Sequence, residues 1–328
     1  MLDDWTNFWG AQPATERLRE RGDLTIYTTP AADEDEVMRR LENATVAFAN
    51  RERTPLNARV LRAAEHLELL AQSGRISPNV DQAAATERGI ALVAAGGQPG
   101  SHFAVAELGL ALLMALVRDI PANDRRVRQG DWVAPATRML SGSTLGILGL
   151  GNIGGAFARL AQALQMHVIA WGPTLTPERA QASGVEYVAH DDLFRRSDAL
   201  FIALKLLDAT RGIVGEKELA LMKPTSYIIN IARGPIVQES ALVAALQDGR
   251  IAGAGLDVYD VEPLPVDHPL IGLKNVVLTP HIGWGTDRNF AMMVENLTAA
   301  AIKYLDGDTS DVVNPAALER RRALATRA

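Results

Sequence analysis

The stretch TLGILGLGNIG, Thr144–Gly154, decides the fold of this chain. An apolar run, Leu145–Leu148, feeds into Gly149-x-Gly151-x-x-Gly154, and AFARLAQAL (156–164) continues as a helical pattern. Strand, glycine turn and helix in that order are what a dinucleotide pyrophosphate requires. Gly149 permits the tight turn, Gly151 lets backbone N–H groups approach the phosphates, and Gly154 lets the helix pack close to the strand. The negative pyrophosphate then meets the positive helix N-terminus.

Outward from this turn, short apolar runs alternate with helical patterns. Strands are expected at Thr144–Leu148, His167–Trp171, Glu186–Val188, Ala199–Leu204, Ser226–Asn230, Gly255–Val258 and Val276–Leu278, with helices such as 155–164 and 239–248 between them. This alternation predicts right-handed βαβ units and a doubly wound parallel sheet, with ligands beyond the strand C-termini. A smaller α/β pattern precedes it. Its strands are read at Leu24–Tyr27, Val46–Ala49, Leu67–Ala71 and Ile90–Val93, its helices at 34–41 and 57–64. Pro99–Gly100 breaks the chain before a long apolar helix, His102 to about Ile120, too apolar all round to stand in water. A second long helix, from soon after Thr286 to about Leu305, returns the chain to the first domain. The expected division is therefore residues 1–100 and 286–328 as a substrate domain, flavodoxin-like in pattern, and 101–285 as a Rossmann domain, with a small-molecule cleft between.

The 328 residues include no cysteine, which excludes disulfides and thiolate chemistry, and carry a net charge of −6, which argues against a nucleic-acid partner. The basic ERRRALATRA at 319–328 reads as a solvated, frayed tail. No apolar run approaches the ~20 residues of a membrane span, and the N-terminus lacks the pattern of a secretion signal, so a cytoplasmic chain is expected. No metal site is read.

Three polar residues stand at breaks after expected strands: Arg233 before Gly234–Pro235, Glu262 before Pro263, and His281 before Ile282–Gly283. A guanidinium can hold a substrate carboxylate and polarise a reacting oxygen. An imidazole can exchange the hydroxyl proton, and a carboxylate on its other nitrogen fixes the tautomer. Together they suit hydride transfer at a hydroxy acid.

GILGLGNIGG (146–155), LMKPTSYIINIARGPIV (221–237), GAGLDVYDVEPLP (253–265) and NVVLTPHIGW (275–284), with RGI (88–90) and AVAELGLALLMALVRDI (104–120), carry a resemblance to the D-isomer-specific 2-hydroxyacid dehydrogenases. It spans nearly the whole chain. The resemblance implies an NAD(P)-dependent enzyme interconverting a small D-2-hydroxy acid and its 2-oxo acid, working as a homodimer through the helix at 102–120. It implies Arg233, Glu262 and His281 as catalytic residues, with Arg233 also on the substrate carboxylate. The cofactor set is Gly149, Gly151, Asn152, Ile153, Gly154, Gly172, Ala232 and Asp257, the last on the nicotinamide carboxamide. The loop after Gln72 (Ser73, Gly74 and Arg75) would bind the substrate carboxylate. A glutamate partner for the histidine argues against the formate dehydrogenase branch, which has glutamine. The family also includes NAD(H)-sensing corepressors that keep the three residues, so a scaffold without turnover is the alternative.

Two departures stand out. The chain starts at Leu2–Asp4, where the first strand of the substrate domain should already have passed, implying a truncated strand or start. Eighteen residues after Gly154, where an acid should meet the ribose, stands Gly172, followed by Pro173 and Thr174. The usual repulsion of a 2′-phosphate is absent there. No arginine follows immediately, so NAD is favoured, while Arg179 and Lys205 within sequence reach leave NADP open.

Overall fold

The computed structural model describes every residue except Thr6, Glu52, 96–99 and 326–328. Pro99, read as part of the break before the long helix, lies outside the described residues, as does the end of the basic tail. The chain forms two compact units, Met1–Pro99 with Thr286–Ala328, and Gly100–Gly285. Among the described residues no helix is long and apolar enough to cross a membrane.

The first unit is built on a parallel three-stranded sheet, β1 (Val46–Ala49), β2 (Leu69–Ser73) and β3 (Ala91–Ala95), in that order. All five residues of β2 are buried, as a strand covered on both faces must be. The helix Glu34–Leu41 starts where Asp33 accepts the Glu36 N–H at 2.8 Å, and buries Val37 and Leu41. The helix Asp287–Leu305 is capped by Thr286 and packs Met293, Val294, Leu297 and Ala301 inward, against β2 and β3. Leu24–Tyr27 is not a strand, contrary to the reading of its sequence. It makes isolated backbone bonds instead: Tyr27 N–H to the Met1 carbonyl at 3.0 Å, and Asp4 N–H to the Tyr27 carbonyl at 2.9 Å. Met1–Asp4 itself runs beside β1, Leu2 N–H donating to Phe48 at 3.0 Å. The basic tail is likewise not frayed over its described length, since Ala316–Ala325 is helical.

The second unit carries seven parallel strands: β4 (Thr144–Leu148), β5 (His167–Trp171), β6 (Glu186–Tyr187), β7 (Ala199–Ile202), β8 (Tyr227–Asn230), β9 (Gly253–Leu256) and β10 (Val276–Leu278). Their spatial order is β10-β9-β8-β7-β4-β5-β6, the doubly wound α/β arrangement. Alternate residues feed two cores: Leu148, Leu200, Ile202 and Ile228 on one face, Ile147, Phe201 and Ile229 on the other. The chain winds outward from β4 to β6, then restarts at β7 on the other side of β4. That reversal opens a crevice at the C-terminal ends of β4 and β7.

The long apolar helix runs Ser101–Val117 and lies on this sheet. Gly109 has no room for a side chain, since a Cβ would sit 2.4 Å from Phe201, which stacks on Phe157 at 3.8 Å between centroids. The helix ends sooner than its sequence suggests. Asp119 adopts φ 50°, which an α-helix cannot contain, and a separate helix follows at Ile120–Arg128. Both that helix and residues 131–140 after it remain largely exposed, including Trp132 at 88% and Met139 at 77%.

Candidate active site

The glycine turn is shaped by contacts that only glycine permits. Gly149 has φ +101°, and its N–H donates to the Trp171 carbonyl at 2.8 Å, tying the turn to the end of β5. A Cβ at Gly154 would lie 2.2 Å from the Gly149 carbonyl oxygen, so the helix Asn152–Ala163 starts directly against the turn. Gly151 caps this helix and offers no side chain to its first N–H groups; a Cβ there would meet nothing within 4 Å. Asn152 is exposed and Ile153 half-buried in the first turn. The result is an open, positively polarised helix end with bare backbone in front of it. These residues fit a dinucleotide pyrophosphate.

On the other side of the strand reversal, β8, β9 and β10 deliver the polar groups. After β8, Asn230 folds the chain back: its Oδ1 accepts the Ala232 N–H at 3.1 Å and its Nδ2 donates to the Arg233 carbonyl at 3.0 Å. Arg233 is exposed, with its guanidinium donating to the Ala232 carbonyl at 2.7 Å. Gly234 follows because a Cβ would lie 2.0 Å from the Tyr259 carbonyl carbon. The Arg233 segment therefore abuts the turn that carries Glu262.

After β9, buried Asp257 and Tyr259 precede Glu262. The Tyr259 N–H donates to Glu262 Oε1 at 3.0 Å, while Glu262 Oε2 lies 2.6 Å from Nδ1 of His281, beyond β10. Partial burial opposes ionisation of Glu262. The bonds from His281 and Tyr259, with the positive fields of His281 and Arg233, outweigh it and hold this carboxyl below its ordinary range.

Asp257 grips the loop beneath His281. Its Oδ1 accepts from Thr279 Oγ1 at 2.7 Å and from Ile282 N–H at 2.8 Å, and its Oδ2 from Gly283 N–H at 2.8 Å. Burial nonetheless pushes the Asp257 carboxyl upward. The Tyr259 hydroxyl donates to Thr279 at 3.0 Å, and burial together with the Asp257 charge pushes that phenol up to about 12. His281 itself has φ 54°, a backbone conformation that a non-glycine residue keeps only when its surroundings impose it.

Glu262 and His281 are thus in direct contact, and Arg233 sits on the segment packed against theirs. Gly172 is buried beside Gly149, whose Cα a Cβ would approach to 3.6 Å, and Ala232 is buried behind Arg233. Ser73, Gly74 and Arg75 belong to the first unit, at the C-terminal end of β2. Ser73 is buried, donating to Asn50 Oδ1 at 2.7 Å and accepting the Arg51 N–H at 3.0 Å; Gly74 has φ +83°, and Arg75 is exposed. Sequence reasoning missed the supporting set of Asn230, Tyr259 and Thr279. Each sits within a few residues of a named group, but only the tertiary bonds reveal what it does.

Residues 110–283 match the family model described as D-isomer specific 2-hydroxyacid dehydrogenase, NAD binding domain. A D-3-phosphoglycerate dehydrogenase of Archaeoglobus fulgidus is 36% identical over 278 residues, which is 84% of this chain and 52% of that protein. The chain spans about half the length of the curated D-3-phosphoglycerate dehydrogenases of that kind. A glyoxylate reductase of Korarchaeum cryptofilum is 33% identical over 298 residues, 89% of each. The crystal structure of a phosphoglycerate oxidoreductase from Vibrio cholerae O395 has a TM-score of 0.85 at 31% identity, covering 93% of this chain and 98% of that one. The chain belongs to the D-isomer specific 2-hydroxyacid dehydrogenase family and carries its NAD-binding domain.

Proposed function

We propose that this protein is an NAD-dependent oxidoreductase that interconverts a small D-2-hydroxy acid and its 2-oxo acid. The observation that carries the reading is the 2.6 Å contact between His281 Nδ1 and Glu262, beyond the strand ends of the domain that holds the glycine turn. Gly149, Gly151, Asn152, Ile153 and Gly154 hold the pyrophosphate, with Gly172, Ala232 and Asp257 along the rest of the cofactor. When bound, NAD supplies the carbon that accepts or gives up the hydride. The first unit acts as the substrate domain, its Ser73–Arg75 loop binding the substrate carboxylate.

The remaining chemistry belongs to side chains of this chain. An ionised Glu262 accepts from Nδ1–H of His281, which leaves Nε2 to exchange a proton with the substrate oxygen. Glu262 also stabilises the imidazolium that forms when the alcohol is oxidised. Arg233 binds the carboxylate and offsets charge on the reacting oxygen; losing a preorganised donor of this kind costs ~3–4 kcal/mol of transition-state stabilisation. Two copies pair through the face formed by the 101–117 helix and residues 120–139, where Ile120, Val127, Trp132, Val133 and Met139 are exposed.

Steady-state assays with glyoxylate, pyruvate, hydroxypyruvate and phenylpyruvate, using NADH and NADPH, test the reading. Arg233→Ala and His281→Ala lose turnover while cofactor binding survives. Oxo-acid reduction retained in either variant overturns the assigned roles. Tight NADH binding by the unaltered protein without turnover marks it as a sensing scaffold instead.

A further inference from the structure

Glu239 opens the helix Glu239–Gln247, at the far end of the segment that begins with Arg233. Its two carboxylate oxygens serve two partners: Oε1 lies 3.0 Å from Nε2 of His268, and Oε2 accepts the Asp260 N–H at 3.3 Å. His268 Nδ1 accepts the Leu270 N–H at 3.3 Å, so a neutral ring carries its proton on Nε2 and donates it to Glu239. The pair is mostly buried, with side-chain exposures of 15% and 24%. Asp260 and Arg211 are the other charges that act there; Arg233, Asp257 and Tyr259 face Glu262 and His281.

The amides of Tyr259 and Asp260 are consecutive, and different carboxylates hold them. Tyr259 N–H goes to Glu262, inside the site, and Asp260 N–H to Glu239, outside it. Gly234, with no side chain, lets the Arg233 segment abut the same turn. We propose that Glu239, anchored by His268, is a positioning residue that fixes the 259–262 turn so that Glu262 stays on His281 and the Arg233 segment stays beside it. The inference rests on the reading of His281 as the acid–base group. A carboxylate is required because it accepts from two donors at once; an amide would turn its NH2 toward one of them.

Glu239→Gln tests this in the full-length protein. Turnover falls roughly tenfold, short of the ~10²-fold that misplacing a reacting group costs, while the oxo-acid KM and the NADH Kd hold. In a Glu262→Gln background the same change adds less than about twofold, because both act through one group. Amide exchange at Tyr259 accelerates in Glu239→Gln, with or without turnover. If that variant does not fold, His268→Leu shows the same pattern and His268→Gln, which keeps a donor, restores turnover. Unchanged turnover with unchanged Tyr259 exchange overturns the proposal, as does a full independent loss in the Glu262→Gln background. If the unaltered protein reduces no 2-oxo acid, the proposed function fails, and Tyr259 exchange alone decides for or against the brace.

Discussion

Gly172 stands at the end of β5, where dinucleotide folds commonly place the acid that meets the ribose 2′-hydroxyl. The site has room for one: a Cβ would meet its nearest neighbours at 3.6–3.8 Å, and the backbone is outside the left-handed region. Arg179 reaches back to the same loop, its Nη1 donating to the Thr174 carbonyl at 2.8 Å. Gly172→Asp therefore shifts selectivity toward NADH over NADPH by about tenfold or more, the worth of one charge-assisted hydrogen bond, as read by fluorescence titration of both cofactors. Glu262 makes a second prediction. Its folded-state pKa lies below its ordinary value near ~4.3, so its ionised contacts stabilise the protein above that value and fade as pH falls through the lower, folded one. Urea melts of the unaltered protein and Glu262→Gln accordingly differ most near neutrality and converge in acid. Arg233, Glu262 and His281 could be picked out as candidates because each follows a strand and stands beside glycine or proline. Asp257's grip on Thr279, Ile282 and Gly283 was not, since its partners are more than twenty residues away and their loop conformation has no sequence signature.

At the scale of elements, the glycine turn separates two functions that one motif combines. Gly154→Ala places a methyl 2.2 Å from a backbone oxygen, and thermal unfolding should show a loss of about 1–3 kcal/mol, the usual cost of overpacking. Gly151→Ala meets open space, so its melting temperature holds; NADH affinity, measured by calorimetry, falls because the methyl occupies the proposed path of the phosphates. Elements with strong local signals were read correctly. β4 and β5 alternate cleanly between two cores, and the helices at 34–41 and 287–305 begin at an Asp and a Thr that cap them. The misread elements lacked such signals. Leu24–Tyr27 is a short apolar run with too few ladder partners, and the break at Asp119 depends on a left-handed residue that periodicity does not register.

For the whole molecule, the sequence carried the two-fold α/β pattern because parallel sheets require near-continuous apolar strands spaced by helices. It was silent on residues 131–140, which form neither helix nor strand. A tryptophan 88% exposed and a methionine 77% exposed on that segment match the face assigned to a second copy. Trp132→Glu with Met139→Glu should convert a dimer to a monomer in sedimentation velocity at micromolar concentration. A monomer before substitution removes the assignment.

The strand that leads to His281 is also the margin of its sheet. β10 is three residues long, none of them fully buried, and it has a neighbour on one side only. Asp257 rivets the far end of that margin to the adjoining strand, through three bonds to the loop beyond it. Fraying costs least at a short edge, so the contact between Glu262 and His281 is expected to part while the seven-stranded interior still stands. If the proposed Glu262–His281 relay carries turnover, warmth or mild denaturant abolishes oxo-acid reduction at a lower temperature or denaturant concentration than the melt followed by circular dichroism.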